Sequence, residues 1–381
     1  MRDGSYKFSP QKGILKKRKS SPGEPPKEPR PIVVAPAKNR IVQRAILDVC
    51  QSDDMTTKKR LGGLIEVLRC PTSVGGLPER GVPEAIALIG QAMAAGATWY
   101  VRSDLKDFFQ AVPKQAVKDF LAQNISDSEF VRVFMDALST ELENEDEVRA
   151  LLRLFPKGEI GVPQGSALSA LCANIVLAQF DSEFNRRGVV TIRYLDDFVI
   201  LGRGKIATEK AFRAAAALLK KLGFECHDPF DKGSKKAAAG PVHVGFQFLS
   251  FDLKPSRLAP SRQACGDFLA DIDEAIAKAK SAIAGNEDQL RRAEPRYIQS
   301  LALIDRKIRG WGDAFRASND RLLFAQLDSK VDQRIAAFQK WFERQIAARK
   351  IEQRRRLLGI ALLSDTPSND AEEKASRLRV V

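Results

Sequence analysis

The sequence predicts an α+β core followed by an all-α appendage. Three observations predict it. Short apolar strand-like runs alternate with helical stretches through the first two thirds of the chain. Two of those runs meet acids, one at Asp104 and one at the adjacent pair Asp196 and Asp197. From about residue 261 to 360, basic and apolar residues interleave at helical spacing.

Residues 1–30 are rich in Lys, Arg, Pro and Ser, and KKRKSSPGEPPKEPRP reads as a basic hairpin tip or mobile loop. RPIVVAP (30–36) is a short strand, and NRIVQRAILDVCQ (39–51) a helix with Asn39 as its cap. SVGGLPERG (73–81) is a loop and PEAIALIGQAMAAG (83–96) a helix. TWYVRSDLKDFF (98–109) is a strand that ends at Asp104 and breaks into polar residues. Helical segments follow around 113–123 and 127–140. GVPQGSALSALCANIVLAQFDSEF (161–184) opens as a Gly-Pro-Gly loop and becomes an apolar helix. TIRYLDDFVILGRG (191–204) is a hairpin of two β runs hinged at the aspartates. IATEKAFRAAAALLKKLGF (206–224) is an amphipathic helix ending at a glycine, and HVGFQFLSFDL (243–253) a strand pair. EEKASRLRVV at the C-terminus reads as frayed, and no internal repeat is present.

At 381 residues and 44% hydrophobic content the chain has room for two or three packed subdomains. Its net charge of +14 favours a polyanionic partner; the plain alternative is a merely soluble basic protein. The five cysteines lie far apart, as core thiols of a reducing cytoplasm do, and form neither a disulfide framework nor a zinc site. With only His227 and His243, both read as structural, a histidine-based nuclease or metal site is disfavoured. No apolar run is long enough to span a membrane, and the basic N-terminus lacks a signal peptide's apolar core. A cytoplasmic protein is expected.

The chemistry turns on RYLDDFVILGRG (193–204). Adjacent carboxylates in an apolar segment repel and are costly to desolvate. A divalent cation compensates well. If the strand ending at Asp104 neighbours the hairpin, three carboxylates converge. Hard oxygen donors without His or Cys favour Mg²⁺, or Mn²⁺ in its place. Two such ions form the clamp used for in-line phosphoryl transfer. The plain alternative is a pair of exposed turn aspartates.

The neighbouring residues carry a resemblance. RYLDDFVIL resembles the Y-x-D-D hairpin of reverse transcriptases, and VRSDLKDFF their first metal-binding strand. GVPQGSALSALCANIVLAQFD resembles their P-Q-G loop and following helix, in particular as found in bacterial group II intron enzymes. RPIVVAPAKNRIVQRAIL and SVGG are similar to fingers motifs of that group, LKKLGFECH to the helix after the aspartates, and VGFQFLSFDLKPSRLAPS to the primer-grip hairpin. IRGWGDAFRASNDRLLFAQLDSKVDQRI looks like thumb or maturase helices. The ordered set covers nearly the whole chain, whereas Y-x-D-D alone is a weak signal.

The resemblance implies a right-hand polymerase, with fingers at 1–98, a palm at 99–255, an α-helical thumb or maturase-like region at 256–365 and a frayed tail at 366–381. It implies metal binding by Asp104, Asp196 and Asp197, helped by the backbone carbonyl of Leu105. Phe109 matches a steric gate beneath the sugar, with core packing as its alternative. Gln164 matches the residue touching the incoming nucleotide, in a loop shaped by Pro163 and Gly165. Arg30 matches a triphosphate grip, as the fixed fork of arginine suits phosphate oxygens. Lys17 and Lys19 are weaker candidates of that kind. Tyr194 is placed at the primer terminus, Phe248 and Leu249 in the primer grip, and Trp311 in the thumb core.

Departures from the intron pattern are Leu195 where alanine is usual, Ala170 where proline is usual, and Ser250 where the primer grip has glycine. No Cys/His endonuclease module follows the thumb, and little precedes the first fingers motif. Neither the Ser-Gln of diversity-generating retroelement enzymes nor a retron-type Val-Thr-Gly is found. The reading left is a stand-alone bacterial enzyme, with antiphage defence as a candidate role. The implied partners are an RNA template, a DNA product duplex and dNTPs, with a dedicated non-coding RNA or a second protein subunit as candidates and no membrane. Two other readings stand beside it. One is an RNA-binding maturase or splicing cofactor. The other is a polymerase that works without a template or primes from a protein side chain.

Overall fold

The continuous apolar run Phe198–Leu201 becomes the fully buried centre of a sheet, which is why no polar residue interrupts it. The computed structural model describes the chain apart from residues 1–5, 19–27, 53, 186–187, 232–233, 235, 285–295, 361 and 364–381. The tip of the basic N-terminal stretch, Lys19 and the expected frayed tail therefore lie outside the described residues. The chain divides into two units, Met1–Leu249 with Leu253–Ser256, and Ser250–Asp252 with Arg257–Val381.

In the first unit, β1 (Lys12–Lys16) pairs antiparallel with β2 (Arg30–Val34). β3 (Trp99–Asp104), β4 (Val190–Tyr194), β5 (Asp197–Gly202) and β6 (Ala238–Pro241) build a four-stranded sheet in the order β4-β5-β3-β6. Every pairing in it is antiparallel. The helix Ser169–Phe184 packs against β4 and is buried on nearly every face, as its all-round apolar composition requires. The amphipathic helix Lys205–Lys221 packs against β3 and β5, and Val82–Ala94 against β4. Phe180, Phe184, Phe198, Phe212 and Phe224 fill the space between sheet and helices. All five cysteines are free, but only Cys50 and Cys172 are the buried core thiols expected, whereas Cys70, Cys226 and Cys265 are partly exposed; burial pushes the Cys50 thiol up to about 12.

Several expectations need correction. Asn39 does not cap its helix. The helix runs Ala37–Cys50 behind Pro36, whose fixed φ starts it, and Asn39 sits buried in its first turn. There the Asn39 amide donates to the Ser9 carbonyl (2.8 Å) and accepts from the Tyr6 hydroxyl (2.9 Å). The strands β1 and β2 pair antiparallel on either side of the basic stretch that the sequence reads as a hairpin tip. β6 and the short helices Met55–Leu61 and Leu64–Leu68 carried no readable period in the sequence.

The strands Phe246–Phe248, Phe251–Lys254 and Arg257–Pro260 carry the chain from the first unit to the second. The second unit is helical: Arg262–Ile283, Tyr297–Ala314, Arg321–Ala347 and Ile351–Leu358. Ser261 and Asp320 cap the first and third of these, each accepting from a backbone N–H three residues on. Trp311 stacks on Phe268 (4.7 Å between ring centroids) and packs on Phe315 (4.5 Å), inside this unit's own aromatic core. Among the described residues no helix is long and apolar enough to cross a membrane.

Candidate active site

The register of the central sheet decides where the acids lie. β3 and β5 pair with Asp104 opposite Asp197, and the Leu105 N–H donates to the Asp196 carbonyl (3.1 Å). The hairpin between β4 and β5 turns at Leu195, in the left-handed region at φ 55°, so Asp196 stands at the turn and Asp197 opens β5. On the other side of β3, β6 sets Ala238 opposite Arg102. Two residues further along that register, Lys236 meets Asp104, its Nζ 2.5 Å from Oδ2. The chain after the Lys205–Lys221 helix closes the third side. The His227 N–H donates to the Asp104 carbonyl (3.1 Å), and its Nε2 lies 3.4 Å from Oδ1 without hydrogen-bond alignment. Oδ1 is buried and has no hydrogen-bond partner among the described residues.

Burial pushes both turn carboxyls above the usual carboxylate range. At Asp196 the Asp104 charge adds to it, while Lys236 and Arg30 oppose. At Asp197 the charges of Asp196 and then Asp104 add to burial, and the carboxyl is pushed up to about 7. The unmet charge is what the sequence suggested for adjacent acids in an apolar run. As placed, no three acidic, histidine or cysteine side chains among the described residues form a ready ligand cluster, and Lys236 holds one Asp104 oxygen. The donor chemistry nevertheless fits a hard divalent cation: carboxylate oxygens, one of them orphaned and buried, in a patch of negative charge that Lys236 and Arg30 only partly offset.

Beside these acids lies a pocket of about 310 Å³ whose wall includes Arg30, Leu105, Phe109, Gln164, Asp196 and Lys236. Each is delivered by backbone pairing. Arg30 opens β2, and Val33 of the same strand donates to the Gln164 carbonyl (2.8 Å). The Val162 N–H donates to the Phe109 carbonyl (2.7 Å), tying the other end of that loop to the short helix Phe108–Ala111. Asp107 precedes this helix at φ 45°, a turn that sends Phe108 into the core and leaves Phe109 half-buried on the pocket wall. Pro163 and Gly165 hold the loop from behind. The Ser169 hydroxyl donates to the Pro163 carbonyl (2.6 Å), and Gly165 adopts φ 126°, where a Cβ would stand 2.5 Å from the Val33 carbonyl oxygen.

Other candidates lie off the pocket wall. Tyr194 is cross-strand from Asp197, half-buried. Phe248 is buried, and Leu249 turns its hairpin with a positive φ. Lys17 does not line the pocket, whereas its neighbour Arg18 does, as does Asp107. Sequence reasoning also missed Lys236 and treated His227 as remote from the chemistry. Four basic residues in a row at 16–19 gave no sign of which one faces inward.

The chain is similar to a 91 kDa protein in a cob intron of Schizosaccharomyces pombe, 24% identical over 240 residues, covering 60% of this chain and 27% of that protein. It is similar to protein YkfC of Escherichia coli, 26% identical over 225 residues, covering 48% of this chain and 53% of that one. The chain thus spans about half or less of the length of these curated relatives. Among solved structures, apo telomerase from Candida tropicalis aligns with a TM-score of 0.47 and 13% identity, over 92% of this chain and 63% of that one. The family described as reverse transcriptase (RNA-dependent DNA polymerase) matches residues 14–229, more than half of the chain. Its right-hand polymerase fold accounts for the antiparallel sheet and packed helices seen here, and on that match the chain belongs to the reverse transcriptase family.

Proposed function

We propose that this chain is an RNA-directed DNA polymerase that adds deoxynucleotides to a primer 3′-hydroxyl, with release of pyrophosphate. One observation carries the reading. Asp104 and Asp197 face each other across β3 and β5, and Asp196 beside them shares a pocket with Arg30, Phe109 and Gln164. Domains of this family generally use divalent metal ions. Asp104, Asp196 and Asp197, with the Leu105 carbonyl, are the residues that would hold them. Bound there, Mg²⁺ would lower the pKa of the attacking hydroxyl and neutralise charge on the transferred phosphoryl group.

The protein's own part is mainly placement. The Arg30 guanidinium, with Arg18 beside the same pocket, offers donors to phosphate oxygens. The Phe109 ring occupies the wall where a sugar would rest, so a ribose 2′-hydroxyl would meet carbon. Gln164 stands on a loop tied at both ends by backbone bonds, which keeps its position fixed. Tyr194, Phe248 and Leu249 are assigned to the primer side, and the basic helices of the second unit to duplex phosphates.

The setting we favour is a bacterial enzyme of the group II intron-like lineage that serves its host, for example in antiphage defence with a partner RNA. Leu195, Ala170 and Ser250, which depart from the intron pattern, support it. The second reading, an RNA-binding splicing cofactor, is supported by the intron origin of a relative.

The test is nucleotide incorporation by the purified full chain on RNA-templated primer, DNA-templated primer and no template. RNA-templated extension is expected. Absence of incorporation on every substrate, with tight binding to an intron RNA, would replace the polymerase by the cofactor.

A further inference from the structure

We infer that Arg193 is a positioning residue that fixes the turn carrying Asp196 and Asp197. The inference rests on the polymerase reading and adds a residue to it. Arg193 is the largest fully buried side chain among the described residues, at 1% exposure, in a strand whose other buried residues are Thr191 and Ile192. All three of its guanidinium nitrogens donate. Nε bonds Asp181 Oδ1 (2.8 Å), and Nη2 bonds Asp181 Oδ2 (2.5 Å), Ser73 Oγ (2.7 Å) and Asn174 Oδ1 (3.0 Å). Nη1 reaches forward to the Leu195 carbonyl (3.0 Å).

Those acceptors come from three separate pieces of chain. Asn174 and Asp181, seven residues apart, share one face of the Ser169–Phe184 helix. Ser73 belongs to the SVGG loop, which is stitched to β4 by the Val74 N–H on the Arg193 carbonyl (2.9 Å) and the Arg193 N–H on the Thr72 carbonyl (2.9 Å). The Asn174 amide also donates to the Gly75 carbonyl (3.0 Å), which presses that loop beneath the turn. Gly75 must lack a side chain there, because a Cβ would run into the Leu195 backbone nitrogen. Leu195 itself holds a left-handed backbone that a leucine does not favour, so something must hold the turn. Arg193 supplies a side-chain donor to its carbonyl.

The bland alternative is that Arg193 and Asp181 simply stabilise the core. A buried ion pair is a poor device for that, since apolar residues of similar volume do as well or better. What an apolar pair cannot do is hold the Leu195 carbonyl to a helix and a loop at once. Lysine cannot either, because its single ammonium lacks the planar fork that spans Asp181 and the turn.

The experiment compares wild type with the double variant Arg193→Met/Asp181→Leu, which removes both buried charges together, and with Arg193→Lys. Four readouts are taken: thermal melting, hydrogen exchange of a peptide spanning 194–197, Mn²⁺ affinity, and single-turnover incorporation. The double variant should melt near wild type yet exchange faster at the turn and bind Mn²⁺ more weakly. Its rate should fall about 10²-fold, the cost of a displacement of roughly 1 Å. The KM for the nucleotide should change little, because Arg30 and Gln164 are untouched. Arg193→Lys should show the same split. A folded double variant with wild-type exchange and rate, or full rescue by lysine, overturns the inference. If the double variant does not fold, the lysine variant decides. If wild type incorporates nothing, the polymerase reading fails instead, and exchange and Mn²⁺ affinity still judge Arg193.

Discussion

Lys236 Nζ lies 2.5 Å from Asp104 Oδ2, on the opposite side of β3 from Asp197. A protein cation thus sits on a carboxylate that a metal would need, and the two compete. Lys236→Met should tighten divalent cation binding. The Lys236 side chain is 52% exposed, and pairs that open are worth only about 0.2–1 kcal/mol, so the gain should be about fivefold at most. Titration with Mn²⁺ by electron paramagnetic resonance measures it. Equal or weaker binding would show that Lys236 assists the ion rather than displacing it.

Asp196 and Asp197 stand side by side, both driven above the usual carboxylate range by burial and by neighbouring charge. Removing one should relieve the other. Asp196→Asn, measured without divalent ions at pH 7, should melt at the wild-type temperature or a few degrees higher, roughly 2–4 °C for each kcal/mol recovered in a unit this size. Incorporation should fall by roughly 10³-fold or more, given the several kcal/mol that metal-borne charge stabilisation supplies. A variant that stays active at wild-type rates would remove Asp196 from the chemistry.

What the sequence revealed follows from which signals are local. The run FVIL and the two acids just before it are contiguous in the chain, so the hairpin and its acids were readable. The partner strand β6 has the composition AAGP, with no alternation to read, and it exists because β3 offers it an edge. Lys236 reaches Asp104 only through that pairing, so no local pattern could have marked it. Arg193 left one trace, a charge at an inward strand position, but its side-chain acceptors are 12 to 120 residues away. Arg18 was hidden in a basic run whose inward face depends on the register of β1 with β2. The roles given to Phe109, Gln164 and Arg30 came from resemblance; spacing alone could not have set them around one pocket.

Phe108 and Phe109 are adjacent and both line the pocket, yet they differ in burial: the first is a core residue at 4% exposure, and the second is half-buried. Phe109→Val should open space beneath the sugar and raise the use of ribonucleotides relative to deoxynucleotides. The core should tolerate it, since the ring is only half-buried. The readout is the ratio of kcat/KM values for each nucleotide pair. An unchanged ratio in an active, stably folded variant would make Phe109 a packing residue.

Gly165 joins two demands at one position. Its φ of 126° is open to glycine and costly for other residues, and a Cβ would press on the Val33 carbonyl at 2.5 Å. That carbonyl belongs to the strand whose Val33 N–H holds the Gln164 carbonyl and whose first residue is Arg30. Gly165→Ala must therefore either strain the loop or push β2 away from it. A strained backbone of this kind costs about 1–3 kcal/mol, and the melting temperature should fall accordingly. Because the loop and β2 carry Gln164 and Arg30, the KM for the incoming nucleotide should rise more than kcat falls. Steady-state kinetics on a saturating primer-template separates the two. A lower melting temperature with an unchanged KM would mean that the loop supports the fold but does not place the nucleotide, and Gln164 would lose its assigned role.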